Sequence, residues 1–310
     1  MSQQQPSGPP YLPHRTALGG IPTTHVDIPI CAVLLLLYLL GLLTHALIYR
    51  RNRTNDSTKF RLSILIIYMC FVRLITMSMR IAWAMHTQNP RLAIASQVFT
   101  TAGVLLLYVL NIVFCQRIMR AWHPRFGWKR VTSWAFPVFY ATIPLSLVAL
   151  ITAFVQSLYT LDLGAREADH AVQMYGITFF LTVAVFPVPF ILVNYLLFLV
   201  ERRRGKELPV ENMFPTMAGD VGKSAGIVVL ATLVLVTGMG FRTGTSWAAP
   251  RSPSDPAWYD SKACYYLFNF VTELAVVLLY AAVRVDRLFF VRGKGDERGR
   301  FEDSRGKGED

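Results

Sequence analysis

The chain has 310 residues, of which 53% are hydrophobic and only 16% charged. Ordinary water-soluble domains are less apolar and richer in ionic side chains, so a purely soluble protein is excluded as the simplest reading. The net charge of +12 does not point to nucleic acid, because the basic residues lie in short clusters between apolar stretches rather than on one polar face.

Residues 1–26 are polar and rich in Pro and Gly. They lack a basic start, a short apolar core and a cleavage site, so no cleavable signal peptide is read there. The first span is then expected to act as its own insertion signal. Apolar runs follow at 28–49, 62–85, 92–114, 131–158, 174–200, 224–241 and 263–283. Each is about the length that crosses a hydrocarbon core of roughly 30 Å. The predicted fold class is therefore all-α: a polytopic membrane protein, a seven-transmembrane-helix bundle over residues 27–287. The segment 288–310, with Arg-Gly-Lys-Gly at 292–295 and again at 305–308, reads as a disordered, solvated tail.

Orientation follows from Lys and Arg, which are enriched in cytosolic loops. Arg50, Arg51, Arg53, Lys59 and Arg61 separate spans one and two, and Arg117, Arg120, Arg125, Lys129 and Arg130 separate three and four. Arg202, Arg203, Arg204, Lys206 and Lys223 separate five and six, and eight more follow the last span. The opposite side holds Arg15, Arg91, Arg166, Arg242, Arg251 and Lys262, a split of 23 against 6. The N-terminus is predicted outside and the C-terminus in the cytosol. Two sequons, at Asn52 and Asn55, fall in the first connecting loop, so neither should carry glycan. The run Arg202–Arg204 reads first as a stop signal and second as a contact for anionic lipid head groups.

Ionisable residues inside spans are costly, about 2.5 to 3.5 kcal/mol for a central Arg, and normally face the bundle interior with a partner. Span two carries Arg73 and Arg80, two turns apart on one face. Span seven carries Glu273, with Tyr266, Asn269 and Tyr280 at helical spacing. Arg73 and Glu273 both lie roughly 15 Å deep at 1.5 Å per residue, which predicts an ion pair near the midplane. The same reasoning pairs Asp27, at the start of span one, with Arg80. Span three adds a stripe of Gln97, Thr101, Tyr108 and Asn111. These helices are expected to enclose a polar cavity open outward, fit for a small amphipathic or anionic ligand. The competing expectation is a neutralised network that only fixes packing.

Pro137 and Pro144 in span four and Pro187 and Pro189 in span five are expected to kink their helices. Gly238 and Gly240 in span six are expected to admit close helix contact. Cys31 and Cys264 share a face, yet buried free cysteine is the commoner state.

No catalytic constellation is visible. The one His inside a span is His45, no His-Glu-x-x-His pattern occurs, and Gly244-Thr245-Ser246 has no matched base, so no enzyme, metal or cofactor is expected. Lys262 sits at the edge of the last span, where a retinal-linked Lys would not. Span three ends in Cys115-Gln116-Arg117 rather than the acidic-Arg-aromatic triplet of rhodopsin-like receptors, and span seven lacks their Asn-Pro-x-x-Tyr.

Several stretches resemble a family of uncharacterised fungal seven-helix membrane proteins: Asp27-Ile28-Pro29-Ile30, Arg80-Ile81-Ala82-Trp83-Ala84, Asn111-Ile112-Val113-Phe114, Val155-Gln156-Ser157-Leu158-Tyr159-Thr160 and Ala257-Trp258-Tyr259-Asp260. A weaker resemblance is to fungal RTA-like lipid-translocating exporters. It rests on the arginines of span two, Phe241-Arg242, and the aromatic and acidic residues of span seven; the His-Glu pair common in that family is missing here. Two functional classes follow. One is a receptor-like sensor in the plasma membrane; the other is a lipid or amphiphile translocase. Membrane lipids are the expected partners of both.

Overall fold

A computed structural model of the chain describes residues 8–11, 18–54, 62–204, 221–249, 251 and 255–289, without the side chains of 53, 54, 124, 125 and 221. Most of the N-terminal segment, the second sequon and the tail from 290 lie outside the described residues. Every regular element among those described is a helix.

Seven helical spans are long and apolar enough to cross a bilayer: Thr24–Asn52, Ser63–Met85, Pro90–Trp122, Arg130–Tyr159, Leu163–Arg203, Gly222–Trp247 and Lys262–Ala282. Their starts follow ordinary capping chemistry. Asn89 accepts from the Arg91 amide ahead of Pro90, Asp162 accepts from Ala165, and Ser261 accepts from Cys264. Consecutive spans pack side by side except where span three turns inward, and span seven returns to span one to close the ring. Span three contacts spans two, four, five and six and is the most buried; span four is the least. Leu36, Leu40, Leu43 and Leu47 on span one, and Trp134, Val138 and Leu145 on span four, remain exposed. Only a hydrocarbon solvent covers such rows without cost.

The helices overrun the apolar runs. Span five begins at Leu163 rather than 174, carrying Arg166, Glu167 and His170 on its overhang, and span six continues to Trp247, taking Arg242 with it. Hydropathy marks the lipid-matched length, whereas backbone hydrogen bonding continues into the interface. Spans three, five and seven are interrupted: at Val104, at Phe186 before Pro187, and by a π-helical turn over Leu267–Val271. Pro137 and Pro144, by contrast, sit within one unbroken helix. Gly238 makes the close contact expected of it, since a Cβ there would stand 2.5 Å from the Phe268 carbonyl oxygen. Gly240 faces open space. The chain stays with the bundle beyond 288: Phe289 is buried, stacked on Phe114 at 4.2 Å, and Arg117 donates to its carbonyl.

Candidate functional site

Midway along the bundle, Arg73 and Glu273 form the pair that their depths require. Arg73 Nε donates to Glu273 Oε2 at 2.6 Å and Nη2 to Oε1 at 2.6 Å, a bidentate fork in which both side chains are essentially unexposed. The third nitrogen, Nη1, donates to the carbonyls of Phe99 and Thr100 at 3.2 and 3.0 Å. Those carbonyls end the first half of span three, just before its interruption at Val104. Gly103 makes the approach possible, because a Cβ there would lie 2.8 Å from Arg73 Cζ.

A second cation completes the centre. Arg242 of span six donates through Nε to Asn269 Oδ1 and through Nη2 to Thr100 O at 3.1 Å. Two guanidinium groups thus face one carboxylate. The carbonyl of Thr100 accepts from both of them, which supplies acceptor oxygen that the single carboxylate lacks. Sequence reasoning missed Arg242 by counting it as a loop charge. Its helical spacing from Ala231, Leu235 and Gly238 was the available signal.

Span seven supplies both partners, Asn269 from its π turn over Leu267–Val271 and Glu273 from the first turn of the α-helix that follows. Tyr38 of span one donates to the Phe270 carbonyl at 2.8 Å, and Asn269 Nδ2 donates to the Tyr265 carbonyl at 2.7 Å. Further along, Asn111 Nδ2 donates to Thr232 Oγ1 at 3.2 Å and its Oδ1 accepts from Tyr280, joining spans three, six and seven. Near the opposite end of spans one and seven, His45 Nε2 lies 3.1 Å from the Val277 carbonyl.

Gln97 does not join this network. It is exposed, and Ser96 and Thr100 hold the inward face instead. The stripe from Gln97 to Asn111 fails as a guide because from Gly103 to Asn111 span three is buried on nearly every side, so Tyr108 and Asn111 do not mark the inward face of its first half. Nor do the described residues open into a cavity at this cluster: between Tyr108, Arg242, Gly238, Phe268, Thr272 and Glu273 lies a cleft too narrow to admit a water molecule.

At the face carrying the N-terminus lies a second cluster, around Asp27. Arg80 Nη2 reaches its Oδ1 at 3.1 Å, Tyr266 donates to the same oxygen at 2.7 Å, and Lys262 and the Thr23 amide donate to Oδ2. The Asp27–Arg80 pair matches the expectation, whereas Lys262 belongs to the cluster instead of merely edging the span. Cys31 lies 3.3 Å from the Tyr266 hydroxyl, and both it and Cys264 are free thiols.

At the other end, beyond span seven, Arg284 takes a left-handed backbone (φ 51) and forks onto Asp286 at 3.0 and 2.9 Å, while Asn52 Nδ2 donates to the same carboxylate at 3.0 Å. Burial pushes the Asp286 carboxyl up, but the hydrogen bonds from Arg284 and Asn52 outweigh it and hold the group below the usual aspartate range. Arg284 is raised in turn, chiefly by its hydrogen bond to Asp286.

Seven apolar spans around an internally paired polar core define a multi-pass helical membrane protein. Residues 215–290 match a family described as "Protein of unknown function (DUF3112)". That stretch includes Gly238, Arg242, Asn269 and Glu273, so the match covers two of the four spans that meet at the central cluster. It fits a family of uncharacterised membrane proteins. No curated protein and no solved structure matches the chain.

Proposed function

We propose that this is a receptor-like sensor of the plasma membrane, with the N-terminus outside, the C-terminus in the cytosol and no catalytic role. The observation that carries the reading is the closed centre. Arg73, Glu273, Arg242, Asn269 and the end of the first half of span three bind four spans together and, among the described residues, leave beside them a cleft too narrow for a water molecule. A ligand acting on such a core works by changing which spans are held, not by passing through. Discrete packed arrangements of this kind convert a small local displacement into a helix shift. The outward N-terminus is supported by the excess of Lys and Arg on the opposite face. A small amphipathic ligand and membrane lipids are the proposed partners.

The second reading, a lipid or amphiphile translocase, draws on the interrupted spans. Helices broken at membrane depth, with side chains satisfying the freed carbonyls, recur where transporters hold substrate. The weaker RTA-like resemblance favours it too. Reconstitution in liposomes with a fluorescent-lipid translocation assay separates the two. The sensor reading expects no translocation above empty liposomes, together with an amphiphile that shifts the thermal stability of the purified protein. Translocation that Arg73→Ala abolishes would overturn it in favour of the translocase.

A further inference from the structure

The Arg80 guanidinium has a second set of partners that the ion pair does not explain. Nη2 also donates to the carbonyls of Gly19 and Gly20, at 3.2 and 3.3 Å. Its Cζ lies 4.9 Å from the Trp83 ring and 4.5 Å from the Tyr265 ring, so aromatic faces fix its orientation. Arg80 Nε is buried with no hydrogen-bond partner among the described residues. The Gly19 amide in turn donates to the Asp260 carbonyl at 3.1 Å. The two glycines are thus held through their own main-chain groups, two carbonyls by the Arg80 side chain and one amide by the Asp260 carbonyl.

The steric requirement is as specific as the polar one. Gly19 is buried with φ +77, and a Cβ there would stand 2.6 Å from Tyr265 Cγ. Gly20 has φ +56 and open space beside it. Left-handed backbone and a wall against the ring exclude any side chain at the first position and disfavour one at the second.

From these contacts we infer that Arg80, Tyr265 and Asp260 form a peptide-binding site at the N-terminal face, occupied by the chain's own Gly19–Gly20. Its ligand class is a peptide turn of two successive left-handed residues, offering two carbonyls and one amide, with glycine facing Tyr265. The occupant is tethered a few residues ahead of span one, so a peptide in solution must compete with a very high local concentration. Displacing it leaves Arg80 with Asp27 and the Trp83 and Tyr265 rings, and uncovers the contacts that tie span two to spans one and seven. This holds whether the bundle senses or translocates.

The test uses full-length protein in detergent, the variant Gly19→Val, and a synthetic peptide of residues 17–23. In the variant the tethered segment is expelled, so the amide of residue 19, which donates to the Asp260 carbonyl in wild type, should exchange with solvent about tenfold faster or more once corrected for the intrinsic rate of the new side chain. The peptide should bind the variant and raise its melting temperature, bind wild type at least about tenfold more weakly, and lose binding when its own Gly19 is replaced by Val. If Gly19→Val does not fold, Gly20→Ala, whose added methyl meets nothing, provides the same two readouts with smaller changes. Equal exchange in variant and wild type, or no peptide binding to a monodisperse variant, would overturn the proposal.

Discussion

A Cβ at Gly103 would intrude on the Arg73 guanidinium, 2.8 Å from Cζ and 3.0 Å from Nη1. That fork cannot retreat without losing Glu273, so the space beside Gly103 is part of the ion pair. Gly103→Ala is expected to cost about 1 to 3 kcal/mol, in the range of overpacked cores, read as a lowered thermal midpoint in detergent. Arg73→Ala removes one partner of a buried pair and should cost more, about 3 to 5 kcal/mol, because Glu273 is left charged and dry. Exchanging the two, Arg73→Glu with Glu273→Arg, should recover part of the loss; no recovery over either single variant would count against the contact. Asp286 gives a pH signature. Its carboxyl is held below the usual range, so below the ordinary aspartate value the unfolded chain takes up a proton that the folded chain refuses. Its contribution is present at neutral pH and disappears as acid titrates the folded group. Asp286→Asn should therefore lower stability at pH 7 and narrow its difference from wild type toward pH 3; a constant difference would contradict the assignment.

At the scale of elements, the interruptions matter more than the prolines. Span four keeps Pro137 and Pro144 in one helix, while span three breaks at Val104 where no proline stands. What replaces the ladder there is visible: Thr100 O accepts from both Arg73 and Arg242. The π turn of span seven is packed against Gly238 and the Phe241–Phe268 ring stack at 4.0 Å. Gly238→Val should push span six from span seven and loosen Arg242 from Asn269. Faster hydrogen exchange at 267–273, with span one unchanged, would be the reading. Helix bounds and burial also explain what sequence alone left illegible. Counting residues by depth located Arg73 against Glu273 and Asp27 against Arg80, because such arithmetic needs only the rise of a helix. It misplaced Gln97, because Tyr108 and Asn111 lie where span three is buried on nearly every side and so do not tell which face of its first half points inward. It left Arg242 and Lys262 outside the core, because hydropathy ends a span at the apolar edge while the helix continues.

For the whole molecule, seven apolar runs made the seven-span architecture legible, since lipid demands helices of a fixed minimum length. Closure of the centre was not legible. Whether polar stripes line a cavity or meet face to face depends on rotation and packing, which a single chain's hydropathy does not encode. An odd number of spans places the chain ends on opposite faces of the bilayer. The most direct measurement is the accessibility of small epitope tags, fused before residue 1 and after residue 310, in intact and in permeabilised cells. The N-terminal tag should be labelled in intact cells and the C-terminal tag only after permeabilisation. Labelling of both tags in the same compartment would contradict a seven-span fold.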